Sequence, residues 1–208
     1  MLHLETVEPN TFSILREVQS IPELSDFSLV GGTALSIHFG HRVSRNLDLF
    51  SNNPFDNDKV NQALIARFGS SFECNSIIPG RGLMCFIDDI KVDFIYYPQP
   101  LIRNIQILDG IRFFSTQDLI TMKILAVIER GKKTDFQDVA ELLQHYTMAD
   151  FVNFHKEKYS TQNLFISVPQ ALTYFVDADE SDDPISLKGQ SWESVKAFIS
   201  GKVREYLA

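Results

Sequence analysis

Three groups of residues have the types and spacing of phosphoryl chemistry. The first is Val30-Gly31-Gly32-Thr33-Ala34. A glycine pair lets backbone N–H groups approach a phosphate without side-chain obstruction, and a helix starting there turns its positive dipole end toward the anion. The second is Asp48, in Asn46-Leu47-Asp48-Leu49-Phe50, together with Asp93 in Lys91-Val92-Asp93-Phe94-Ile95. Carboxylates of this kind supply hard oxygen ligands for Mg²⁺ or Mn²⁺, and Asn46 offers an amide oxygen where a second acid is expected. The third is the pair of cations Lys123 and Arg130, seven residues apart and therefore on one face of a helix.

Elements must bring these groups together. Residues 11–20 read as an opening helix, and Phe27-Ser28-Leu29-Val30 as a strand ending at the glycine pair. Thr33 to Phe39 suits a helix closed by Gly40, and Asn46 to Phe50 alternates so that Asn46 and Asp48 share a face. A helix over 56–68 and strands near 71–78, 83–88 and 90–97 follow, the last two joined at Asp88-Asp89. If the strand of Asp93 pairs beside that of Asp48, the two carboxylates lie about 5 Å apart on one sheet surface. From 115 the pattern is helical. It opens with Ser115-Thr116-Gln117-Asp118, stops at Gly131, and resumes at Asp135 and Asp138, ahead of core-facing Val139, Leu142 and Leu143. Segments 148–176 and 190–206 read as further helices, joined by the acidic run Asp177 to Pro184.

Each group also has a plainer reading. Gly31 and Gly32 make an ordinary strand-to-helix turn, Ser44 caps a turn rather than touching phosphate, Asp48 caps a strand end, and Asp93 pairs with an arginine. Lys123 and Arg130 form the solvated face of an amphipathic helix, although Lys123 stands within an almost continuous apolar run. Asp135 and Asp138 either orient these cations and cap their helix or act directly in catalysis. His38, His41, Arg42 and Arg45 form the densest basic patch, placed to steer an NTP or an RNA end. Arg42 equally suits holding Asp48 in place, and His38 suits packing better than catalysis.

The bulk composition narrows the classes. With 208 residues, 44% hydrophobic and 22% charged, the chain has the composition of a globular protein with one substantial core or a core with a helical appendage. No apolar run approaches the roughly 20 residues of a membrane span, and the first residues lack the regions of a signal peptide, so a cytoplasmic location is expected. A net charge of −8 argues against a generally basic nucleic-acid surface, though not against a local groove. Cys74 and Cys85 flank the Pro79-Gly80-Arg81-Gly82 turn and read as reduced thiols facing each other across a hairpin.

The ordered set of motifs resembles the AbiEii/AbiGii-type nucleotidyltransferase toxins of the polymerase-β-like superfamily. The blocks that carry the likeness are Gly-Gly-Thr-Ala-Leu, His-Arg-x-Ser, Asp-Leu-Phe-Ser, Lys-Val-Asp, Met-Lys-Ile-Leu-Ala…Arg and Lys-Thr-Asp-Phe-x-Asp-Val, with Ala171 to Asp179 and Pro184 behind them. The resemblance implies an α+β fold with a nucleotidyltransferase core at 1–114, a mixed sheet with flanking helices, and a helical region at 115–208 completing the cleft. It implies Mg²⁺-dependent or Mn²⁺-dependent transfer of a nucleotidyl group from an NTP to a tRNA or protein acceptor, by the toxin half of a toxin–antitoxin or phage-defence pair with a cognate antitoxin. On this likeness Asp48 matches the second acid of an Asp-x-Asp motif, Asp93 the third carboxylate, and Asn46 stands at the first. Gly31, Gly32, Thr33, Arg42 and Ser44 fall at the nucleotide, with Lys123 and Arg130 on its phosphates, Lys133 nearby and Asp135 among the catalytic residues. An amide at 46 keeps an oxygen ligand, loses a charge and cannot act as a base, so the alternative is a catalytically impaired module that binds nucleotide or partner.

Overall fold

A computed structural model describes residues 2–161 and 165–208. Its elements in order are α1 (Pro9–Ser20), β1 (Ser28–Val30), α2 (Gly31–Phe39), β2 (Leu47–Ser51), α3 (Asn57–Phe68), β3 (Phe72–Ile78), β4 (Gly82–Ile87), β5 (Ile90–Tyr96), β6 (Gln106–Leu108), β7 (Ile111–Phe113), α4 (Thr116–Glu129), α5 (Lys133–Leu142), α6 (Met148–Lys158), α7 (Val168–Ala171), α8 (Val176–Asp179) and α9 (Trp192–Leu207). The strands form one mixed sheet in the order β3-β4-β5-β2-β1-β7-β6. It is an α+β architecture in which every element after Phe113 is helical.

Local chemistry explains most boundaries. The Asp56 carboxylate accepts the N–H groups of Asp58 and Lys59 and starts α3; the Ser115 hydroxyl accepts the Asp118 N–H and starts α4. Gly40 closes α2 in the left-handed conformation, φ +67°. Asp88 and Asp89 both take positive φ, the tight hairpin geometry that joins β4 to β5. Cys74 and Cys85 are register partners across β3 and β4 and remain free thiols.

The sequence reading misses the β6–β7 hairpin, because three-residue strands carry too little alternation to register, even with Asp109-Gly110 marking the turn between them. The helical reading of 148–176 corresponds to α6, which ends at Lys158, and to the single turns α7 and α8, while 162–164 lie outside the described residues. The acidic run opens inside α8 rather than as a loop. A continuous apolar core joins the sheet (Leu29, Leu49, Phe94, Phe113) to α1, α3, α4 and α5 through Leu15, Leu64, Ile120 and Phe136. No helix among the described residues is long and apolar enough to cross a membrane.

Candidate active site

Strands β2 and β5 run parallel, and Asp48 is the register partner of Asp93. The same pairing matches Phe50 with Ile95, so these four side chains share one face, while Leu47, Leu49, Val92 and Phe94 are fully buried on the other. The face with the acids floors a cavity of about 690 Å³, roofed by α4. Burial pushes the Asp48 carboxyl above its ordinary value and the charge of Asp93 pushes it the same way, with Lys91, Lys123 and Arg130 opposing the rise. Asp93 Oδ2 receives the Lys91 ammonium, whereas its Oδ1 is buried without a hydrogen-bond partner. Two adjacent carboxylates, one with an orphaned oxygen, fit a Mg²⁺-type ion that completes its shell from water and phosphate. Among the described residues no larger group of His, Cys, Asp or Glu converges to hold a metal alone.

The cationic wall comes from α4 and its C-terminus. Lys123 Nζ, on a side chain only 4% exposed, lies 3.0 Å from Asp135 Oδ1 and 2.8 Å from Asp138 Oδ2. Arg130 grips Asp135 with Nε at 2.9 Å and Nη2 at 2.8 Å. Burial alone would raise both aspartates; the Arg130 hydrogen bond and the Lys123 and Arg130 charges hold Asp135 below its ordinary value, and Arg42 and Lys123 hold Asp138 well below. Arg42 makes a two-pronged contact with Asp138, Nε at 2.6 Å and Nη2 at 2.9 Å, and His41 Nε2 joins at 2.7 Å. Three cations, Arg42, Lys123 and Arg130, against two carboxylates leave one positive charge in excess, and its cavity-facing members are Lys123 and Arg130.

The glycine pair has a local reason the sequence does not reveal. Gly31 adopts φ +71°, and a Cβ there would lie 2.6 Å from Asp48 Oδ2; a Cβ on Gly32 would lie 2.1 Å from Arg42 Nη2. The glycines therefore make room for the carboxylate and guanidinium of the site itself. Both still line the cavity, and no side chain caps the start of α2.

Several expected contacts are placed elsewhere. Thr33 is buried, pairs with the Ser44 hydroxyl at 2.8 Å and donates to the Asn46 carbonyl, so Thr33 and Ser44 pin the 44–46 loop to α2 and do not line the cavity. The Asn46 side chain is exposed, one residue ahead of β2 and off the cavity wall. Arg42 lies behind Gly32, paired with Asp138 and not with Asp48, and Asp135 lies behind the cations as their clamp. The basic surface patch does not form: His41 and Arg42 are buried, His38 packs edge-on against Phe113, and Arg45 sits 3.8 Å from Glu8.

The model of the nucleotidyl transferase AbiEii toxin family, of type IV toxin–antitoxin systems, matches residues 13–187. The chain belongs to the AbiEii nucleotidyltransferase toxin family. An uncharacterized protein of Aquifex aeolicus is 32% identical over 93% of this chain and 94% of its own length. Two solved structures share the fold of this chain at low identity. JHP933 from Helicobacter pylori has a TM-score of 0.59 at 17% identity, covering 96% of this chain and 92% of its own. MenT4, a nucleotidyltransferase toxin from Mycobacterium tuberculosis, has a TM-score of 0.56 at 15% identity, covering 93% and 85%. In this AbiEii chain sequence reasoning missed Lys91 and Arg81. The Lys-Val-Asp alternation, which puts Lys91 on the face of Asp93, was the available signal for the first; for Arg81 only its turn was visible.

Proposed function

We propose that this protein transfers a nucleotidyl group from an NTP to an RNA or protein acceptor, as the toxin component of a pair with an antitoxin. The observation that carries the proposal is the register pairing of Asp48 with Asp93 on a cavity whose other wall presents Lys123 and Arg130. Asp48 and Asp93 would hold Mg²⁺ or Mn²⁺. When bound, that ion supplies charge neutralisation on the phosphates and activation of the acceptor oxygen.

The remaining work falls to the chain's own groups. The uncapped N-terminus of α2, at Gly31 and Gly32, binds phosphate oxygens, and Lys123 and Arg130 stabilise charge building on the leaving pyrophosphate. Asp135 and Asp138 act as positioning residues that keep these cations from swinging into solvent. Phe50, Ile95, Leu119 and Met122 line the cavity with apolar surface that excludes water. In this division the 1–114 portion supplies the metal-holding acids and the 115–208 portion the cations on the pyrophosphate.

The test is label transfer: the protein, Mg²⁺, each α-labelled NTP and total RNA or cell protein, with Asp48→Ala as control and Asn46→Asp in parallel. Transfer by the wild-type chain that Asp48→Ala abolishes is the expected result. Label transfer by Asn46→Asp alone would reassign the natural chain to a binding module, as would calorimetric NTP binding without turnover.

A further inference from the structure

The cavity wall carries three cations, Arg81, Lys123 and Arg130. Lys123 and Arg130 are both clamped by Asp135. Arg81 makes no ion pair and no side-chain hydrogen bond among the described residues, although the chain carries a net charge of −8. Its presentation is built. It sits in the β3–β4 turn between Gly80, φ +68°, and Gly82, φ +146°, and a Cβ on Gly82 would lie 1.9 Å from the Phe94 carbonyl oxygen, so the turn is packed directly on β5. The Arg81 carbonyl accepts the Tyr96 N–H at 2.7 Å, which fixes Arg81 beside Tyr96, a half-buried residue that also lines the cavity.

Sheet order gives this position a meaning. Across β4-β5-β2-β1 the two acids occupy the central strands. The start of α2 follows β1 on one side, and α4 packs against α2 there. Arg81 lies at the head of β4 on the other side, next to Gly82, whose register partner is Ile95. One strand across and three residues along from Asp93, the Arg81 backbone is about 11 Å away, a span that an arginine side chain and one nucleotide cover together. In-line displacement puts the leaving pyrophosphate and the attacking oxygen on opposite sides of the α-phosphorus. The uncapped helix and the clamped cations suit the pyrophosphate, which leaves the β4 side for the acceptor.

We propose that Arg81 is the acceptor-side contact of this site and holds a backbone phosphate of a single-stranded RNA 3′ end, with Tyr96 offering a stacking surface for its base. A guanidinium fork matches phosphate oxygens in a two-pronged geometry, and an arginine beside an aromatic ring is a pairing that binds one nucleotide without reading its sequence. A hydroxyl acceptor on a protein would bring Arg81 no anion. The proposal rests on the nucleotidyl-transfer reading above for its chemistry, but its binding test does not require turnover.

The experiment measures anisotropy of a short 5′-fluorescein single-stranded RNA with a free 3′ hydroxyl against the wild type, Arg81→Ala and Arg81→Lys, at several salt concentrations. Calorimetry with Mg²⁺ and each NTP runs beside it. The expected result is about tenfold weaker RNA binding by Arg81→Ala, a salt slope lower by about one, partial recovery in Arg81→Lys, and unchanged NTP affinity. A fall in NTP affinity with RNA binding intact would move Arg81 to the donor site and overturn the proposal. So would equal RNA binding by all three proteins, or a wild type that binds no RNA while labelling protein. Absence of label transfer by the wild type would sink the transferase reading alone; the RNA-against-NTP split still decides the role of Arg81.

Discussion

Replacing Asp138 by Asn tests whether the cationic wall is held from behind. Asp138 is fully buried and receives Arg42 through two nitrogens, Lys123 Nζ at 2.8 Å and His41 Nε2 at 2.7 Å. The amide keeps the shape, loses the charge and presents its NH₂ group toward donors, so two buried cations lose their shared counter-ion. Removing one partner of a buried ion pair costs about 3–5 kcal/mol, and in a chain of this size that lowers Tm by about 6–20 °C. Thermal unfolding by circular dichroism at neutral pH reads it directly. Because the folded-state pKa of Asp138 lies well below its ordinary value, its stabilisation is complete above the unfolded value near 4 and is lost as pH falls through the folded value. The gap between variant and wild type must therefore narrow in acid. A cycle with Arg42→Met supplies the coupling, expected at about 2 kcal/mol. A Tm loss of under about 3 °C, or additivity of the two substitutions, would refute the reasoning.

Three further outcomes follow from the geometry. Gly31→Ala puts a side chain at φ +71° and against Asp48 Oδ2, so it should cost about 1–2 kcal/mol and displace the carboxylate; calorimetry should show Mg²⁺-dependent NTP binding lost while the circular dichroism spectrum stays native. Asp48 is raised by burial and by Asp93, so the stability it adds is greatest at low pH and is lost as pH rises through its folded value; without metal at neutral pH, Asp48→Asn should raise stability by about 1 kcal/mol and abolish the Tm increase that Mg²⁺ gives the wild type. Equal Mg²⁺ shifts in both proteins would contradict the metal role. Burial pushes His38 down to about 4, so its neutral form stabilises the fold fully above the ordinary value near 6.5 and progressively less as pH falls toward 4; His38→Phe, beside Phe113, should remove roughly 3 kcal/mol of acid sensitivity, measured by urea unfolding at both ends of that window.

The strands and helices that frame the site were legible because their signals are local: alternation in 46–50, the Ser115 cap, the Gly40 stop. The meeting of Asp48 with Asp93 was legible only as a condition, since α3 and a hairpin separate their strands and nothing local dictates that β5 lies parallel to β2. Charge misled where its partner was distant. Arg42 reads as a phosphate ligand from its neighbours, yet Asp138, 96 residues further on, takes both of its prongs. Thr33 and Ser44 read as free hydroxyls and are spent on each other. The same error in reverse hid Arg81, whose turn looked like mere punctuation because a sequence shows where a cation is but not whether an anion already holds it. Pairing is the property that separates the scaffold charges of this cavity from the working ones. By that criterion Asp135 and Asp138 are spent on holding Lys123 and Arg130 at the cavity, while Asp48, Asp93 Oδ1 and the Arg81 guanidinium, unpaired among the described residues, join those two cations in facing a substrate.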